Sequence, residues 1–142
     1  MEFIKALQNA ITKQKRKQGT RAYYSSGEVY LSRLFGYKLI GDRYEPDPRY
    51  APAIRTIFEL LAAGKPLPEL KQALDTIKAR DSSNNRYSYA RIIALVRPIY
   101  AGYIEQRGRL TEVKNMTPIV SLDVYRKAEK QLKIERKKLV NQ

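Results

Sequence analysis

Apolar residues recur at helical spacing in five stretches of the chain and alternate in short runs between them. Ile4, Leu7 and Ile11 leave a narrow stripe over residues 2–18. That width predicts a helix that packs on a partner as an arm, not one set in a core. Ile54, Ile57, Phe58 and Leu61 stand at i, i+3, i+4 and i+7, and Gly64 supplies a stop. Leu67, Leu70, Leu74 and Ile77 form a second face. After the polar run Asp81-Ser82-Ser83-Asn84-Asn85, Ser88 can cap a third helix carrying Ile92, Ile93 and Val96, with Pro98 just past its end. A last helix begins with Ser121 as N-cap and buries Leu122, Tyr125, Ala128 and Leu132.

Between these helices the pattern predicts short strands. Residues 35–40 read as a strand, Gly41-Asp42 as a turn, and Arg43-Tyr44-Glu45 as the returning strand. Pro46 and Pro48 end it, because neither can donate to a ladder. Ile104-Glu105-Gln106 and Leu110-Thr111-Glu112-Val113 flank Arg107-Gly108-Arg109, a basic hairpin tip. Tyr23-Tyr24-Ser25-Ser26-Gly27 reads as a loop. The expected fold class is α+β: a small, mostly helical domain with a helix-turn-helix-like core, one or two short β-hairpins, and helical arms at both termini. The expected division is an N-terminal helix and basic linker over 1–21, a central domain over 22–120, and a basic C-terminal helix over 121–142.

Charge narrows the partner. The 142 residues carry 28 Lys+Arg against 14 Asp+Glu, a formal net charge of +14. Such a balance points to phosphate partners or an acidic membrane surface and says nothing of fold. No apolar run approaches a membrane span and no signal peptide is visible, so a soluble, cytoplasmic protein is expected. Lys13, Lys15, Arg16, Lys17 and Arg21 follow one another with no acidic residue among them. Charge of one sign at this density repels itself unless something neutralises it. The run could also be a solvated helix end complementing the macrodipole. Arg107 and Arg109 could form a wing on a nucleic-acid backbone or an ordinary exposed turn.

Chemistry is narrowed further by what is missing. With 0 Cys and 0 His there are no disulfides, no Cys/His zinc sites and no triad that needs an imidazole. No phosphate-cradling Gly loop, metal-ligand cluster or telling pair of carboxylates appears. Ser25, Ser26 and Ser88 lack an adjacent base and read as turn or cap residues. No catalytic site, metal or cofactor is expected within these residues. Tyrosine is plentiful, at 11, while Trp is 0. A Tyr ring can pack on sugar or base and its hydroxyl can reach a phosphate, but most of these are expected at the edge of the core.

From about residue 19 to 132 the ordered motifs resemble one family. Lys17-Gln18-Gly19 stands where a basic-Gly linker is usual, and Leu34-Phe35-Gly36-Tyr37 matches an aromatic or Pro residue before Gly-Tyr. Glu45-Pro46-Asp47, followed by Ala53-Ile54, Ile57-Phe58 and Leu61, is similar to an acidic turn and its "IF" helix. Gly64-Lys65-Pro66-Leu67, with Leu70 and Ala73-Leu74-Asp75, resembles a Gly-x-Ser segment and a short helix. Arg97-Pro98-Ile99-Tyr100-Ala101-Gly102 resembles Asn-Pro-x-Tyr-x-Gly, and Pro118-Ile119-Val120-Ser121 with Tyr125 resembles a closing "PII-S" segment. Tyr87 for Trp, Arg97 for Asn, Lys65-Pro66 at the usual Ser position and Lys71 for a small residue are departures. The chain on this basis resembles the "recombinase" domain of large serine recombinases, the integrases and transposases of phages and mobile elements.

The resemblance implies a double-stranded DNA-binding domain that recognises a recombination site. It also implies a catalytic domain with its nucleophilic serine upstream, and in many members a four-cysteine zinc ribbon downstream. The chain is therefore expected to be the DNA-binding piece of a longer bacterial, nucleoid-associated protein. The full-length protein is expected as a homodimer or tetramer on DNA, and the piece alone is compatible with a monomer. The expected DNA contacts are Lys13, Lys15, Arg16, Lys17 and Arg21 along the backbone and minor groove, Ser88, Tyr89 and Arg91 from the third helix in the major groove, and Arg86 just before that helix. Arg107 and Arg109 are expected on phosphates. Two other classes stay open: a stand-alone DNA- or RNA-binding regulator, and a module whose terminal helices pair with acidic proteins.

Overall fold

The computed structural model describes residues 23–25, 27–31 and 34–140. Along the chain come β1 (Tyr23–Ser25), β2 (Glu28–Tyr30), β3 (Tyr37–Ile40), β4 (Arg43–Pro46), α1 (Ala51–Ala62), α2 (Leu67–Thr76), α3 (Tyr89–Ala94), a 3-10 turn (Pro98–Ala101), β5 (Tyr103–Gln106), β6 (Arg109–Glu112) and α4 (Leu122–Val140). The class is α+β, as the periodicities predict. Among the described residues the strands form three separate antiparallel hairpins, β1–β2, β3–β4 and β5–β6. One correction concerns residues 23–27, where the composition predicts a loop. Tyr23 pairs with Tyr30 and Ser25 with Glu28, so this segment opens a third hairpin.

Helix α1 is the hub. Ile54, Ile57, Phe58 and Leu61 are all fully buried, each burial contributing roughly 1.5–3 kcal/mol. Pro52 sits in the first turn, where its missing N–H costs nothing. The helix stops at Gly64, whose φ of +82° lets its N–H reach Leu61 O while the Lys65 N–H reaches Leu60 O. Helix α2 ends the same way on Lys78, at φ +55°, with the Ala79 N–H on Leu74 O. Ile77, expected on the apolar face, is therefore the residue at the cap and stands 55% exposed.

Helix α4 packs chiefly on α1 through Tyr125, Ala128 and Leu132, all buried in the same core. Ser121 Oγ accepts from the Val124 N–H at 3.2 Å, the expected N-cap. Glu135 does something the pattern did not reveal. It is buried, and its Oε1 accepts the Leu67 N–H at 2.8 Å. The N-terminus of α2, which begins after Pro66 with no side-chain cap of its own, is thus capped by a carboxylate from α4.

Gly36 explains the aromatic-Gly-Tyr signature. Its φ is +92°, and a Cβ there would lie 2.3 Å from Ile54 Cδ1. Only glycine lets the chain pass this close to α1. Its carbonyl then accepts the Asp47 N–H at 2.8 Å, closing the β3–β4 hairpin onto the start of α1.

Candidate nucleic-acid interface

The turn into α3 is built around one buried anchor. Tyr87 is 1% exposed, its ring 6.3 Å from that of Phe35, and its hydroxyl donates to Arg80 O at 3.3 Å. Burial pushes its phenol up to about 12, so it stays neutral. Anchoring Tyr87 inward leaves its neighbours Arg86, Ser88 and Tyr89 facing solvent. Ser88 Oγ accepts the Arg91 N–H at 3.1 Å and so fixes the start of the helix. That bond occupies one lone pair of the hydroxyl and leaves its proton free to turn outward.

Lys71 completes this corner, a role that periodicity does not announce. Its Nζ donates to Tyr87 O at 3.2 Å and lies 5.8 Å from the centroid of the Tyr89 ring. The signal that could have found it is the departure from a small residue at this position. A long cation there reaches from α2 to the first turn of α3.

Arg91 is half-buried, with its guanidinium carbon 4.7 Å from the centroid of Phe35. Its Nε is the one buried side-chain polar atom among the described residues with no hydrogen-bond partner. The face of the ring partly compensates that loss. Beside it opens a cavity of about 600 Å³ lined by Phe35, Asp47, Arg49, Tyr50 and Ser82 as well as Arg91. There Arg49 grips Asp47 with Nη2 at 2.9 Å and lies 5.1 Å from the Tyr50 centroid.

Arg107 stands on the β5–β6 turn, and Arg109 opens β6 directly after it. Arg107 and Gly108 both have positive φ, 52° and 77°, the signature of a type I′ turn. Arg109 belongs to β6, paired with Gln106, and not to the tip itself. Both arginines are exposed. The structure thus gathers Arg86, Ser88, Tyr89 and Arg91 at one turn and sets Arg107 and Arg109 on another element. Lys13, Lys15, Arg16, Lys17 and Arg21 lie outside the described residues.

Among the described residues no three His, Cys, Asp or Glu side chains come together as a metal could require. No described helix is long and apolar enough to cross a membrane.

Residues 48–135 match the model of the Recombinase family, from the turn before α1 through most of α4. No curated protein matches the chain in sequence. Two of the solved structures that share its fold are informative. One is a crystal structure of an LSR–DNA complex (LSR, large serine recombinase), with a TM-score of 0.57, 17% identity and 89% of this chain covered. The other comes from work on the sequence requirements of the Listeria innocua prophage attP site, with a TM-score of 0.57, 16% identity and 87% of this chain covered. The chain spans only 38% and 51% of those two structures. Since the matched family segment runs over more than half of its length, the chain belongs to the Recombinase family.

Proposed function

We propose that this chain is the double-stranded DNA-binding region of a site-specific serine recombinase, and that it recognises the recombination site of a phage or mobile element. The observation that carries the reading is the joint one. A Recombinase family segment folds like part of an LSR–DNA complex, in a chain of net charge +14. Strand cutting and rejoining would reside elsewhere in the longer protein.

The exposed first turn of α3 is the part we assign to the major groove. Arg86, Tyr89 and Arg91 would meet base edges, with Ser88 both capping the helix and offering its proton. Arginine is the side chain best shaped for guanine O6 and N7. Arg107 and Arg109 of the β5–β6 hairpin, and the run from Lys13 to Arg21, would hold phosphates and set register. Lys71 would steady the α3 turn from α2.

Selection from random duplexes tests the assignment. Arg91→Ala is expected to relax preference at one position and cost about 1–3 kcal/mol on the preferred site. Because Arg91 also lies on Phe35, Arg86→Ala and Tyr89→Ala serve as companions whose side chains are exposed. Loss of affinity spread evenly over all sequences by all three variants would remove α3 from the groove.

A further inference from the structure

We propose that the outward face of α4 is a second contact with the DNA backbone, on a different element from α3 and blind to sequence. This rests on the DNA-binding reading of the chain. Seven basic residues fall between 126 and 138, and the packing of the helix decides which of them face out. Tyr125, Ala128, Leu132 and Glu135 are all buried, the last on the Leu67 N–H. At 3.6 residues per turn, the residues on the far side are Arg126, Lys130, Lys133 and Lys137, spaced i, i+4, i+7 and i+11. All four are exposed. They make one stripe roughly 16 Å long, from a rise of about 1.5 Å per residue.

Acidic partners go mostly to the lysines off this stripe. Lys127 pairs with Asp123 at 3.1 Å and Lys138 with Glu135 at 3.4 Å; on the stripe only Lys133 pairs, with Glu129 at 3.5 Å. Among the described residues Arg126, Lys130 and Lys137 make no ion pair. Like charges at i, i+4 destabilise a helix left alone in water. A duplex strand offers a phosphate about every 3.4 Å of its axis, so a stripe of this length meets several. The occupant of the stripe is therefore the phosphate backbone of duplex DNA.

The test uses the full chain carrying Arg126→Gln, Lys130→Gln and Lys137→Gln together. All three side chains are exposed, so an unchanged thermal melt is expected. Log K against log salt should flatten by roughly 2–3, at about 0.9 for each phosphate no longer neutralised. Base preference in a random-duplex selection should stay as in the parent. A control with the same charge change on other elements, Lys38→Gln, Lys65→Gln and Lys78→Gln, should flatten the slope less. An unchanged slope with DNA binding intact would overturn the proposal while sparing the α3 reading. Equal flattening in the control would also overturn it, reducing the stripe to bulk charge. A parent chain with no duplex affinity would instead overturn the DNA reading on which the stripe depends.

Discussion

Tyr44 ties down the residue just past β2 with a single hydroxyl, which accepts the Leu31 N–H at 3.0 Å and donates to Leu31 O at 3.1 Å. Tyr100 donates to Phe35 O at 2.8 Å and Tyr37 to Thr117 O at 2.9 Å. Each ring is wholly or partly buried while its polar end satisfies a backbone carbonyl in a loop. That is why a chain rich in tyrosine does not display them as nucleic-acid contacts: among the described tyrosine side chains only Tyr89 is exposed. Asp47 holds the turn into α1. It accepts from the Arg49 backbone N–H at 2.9 Å and from Nε at 3.2 Å and Nη2 at 2.9 Å. The Arg49 side-chain bonds hold its carboxyl below the usual aspartate range. A folded value below the unfolded one gives stability that is present above the ordinary aspartate value of about 3.9 and is lost as pH falls through the depressed value. Asp47→Asn should therefore be less stable than the parent at neutral pH, and the two urea midpoints should converge as the solution is acidified below about pH 4. Midpoints that stay equally far apart at every pH would show that the ion pair contributes nothing.

At the scale of elements, α1 and the β3–β4 hairpin were legible because their signals are local. Ile54, Ile57, Phe58 and Leu61 repeat within one helix, and Gly41-Asp42 joins two adjacent strands. The β1–β2 hairpin was not legible, since Tyr-Tyr-Ser carries no apolar alternation and its support is remote. Asn115 Oδ1 accepts the Val29 N–H at 3.0 Å, and its Nδ2 donates to Val29 O at 3.0 Å and to Asp42 O at 3.3 Å. Its own carbonyl accepts the Tyr44 N–H at 2.9 Å. One buried amide 86 positions away in the chain from Val29 thus replaces a missing strand. Asn115→Ala is expected to cost about 2–4 kcal/mol, because it strands the buried Val29 N–H and C=O together. Chemical denaturation checks this, and a loss under about 0.5 kcal/mol, the size of an ordinary surface change, would mean the stitch is dispensable. Glu135 was hidden for a related reason. In a basic helix it reads as one more solvated acid, and only the arrival of Leu67 from another element makes it a cap. The candidate α3 turn was readable from Ser88 and the helix it starts, but the placement of Arg91 on Phe35 and of Lys71 beside Tyr87 needed the fold.

The whole molecule combines a core centred on α1 with a formal net charge of +14. A protein that neutralises phosphates releases counterions, so the strength of its binding depends steeply on salt. On the proposed reading, sequence preference comes from the few side chains that reach base edges, and the sequence-independent part from exposed cations on other elements. The matched span of 48–135 covers both α3 and most of α4. The most direct measurement is a titration of the full chain with duplex DNA at about 0.15 M salt, the physiological ionic strength. The DNA-binding reading predicts saturable binding with a Kd near 10⁻⁶ M or tighter, weakening with a steep slope in log salt. Failure to bind any duplex, including pools of random sequence, would contradict it.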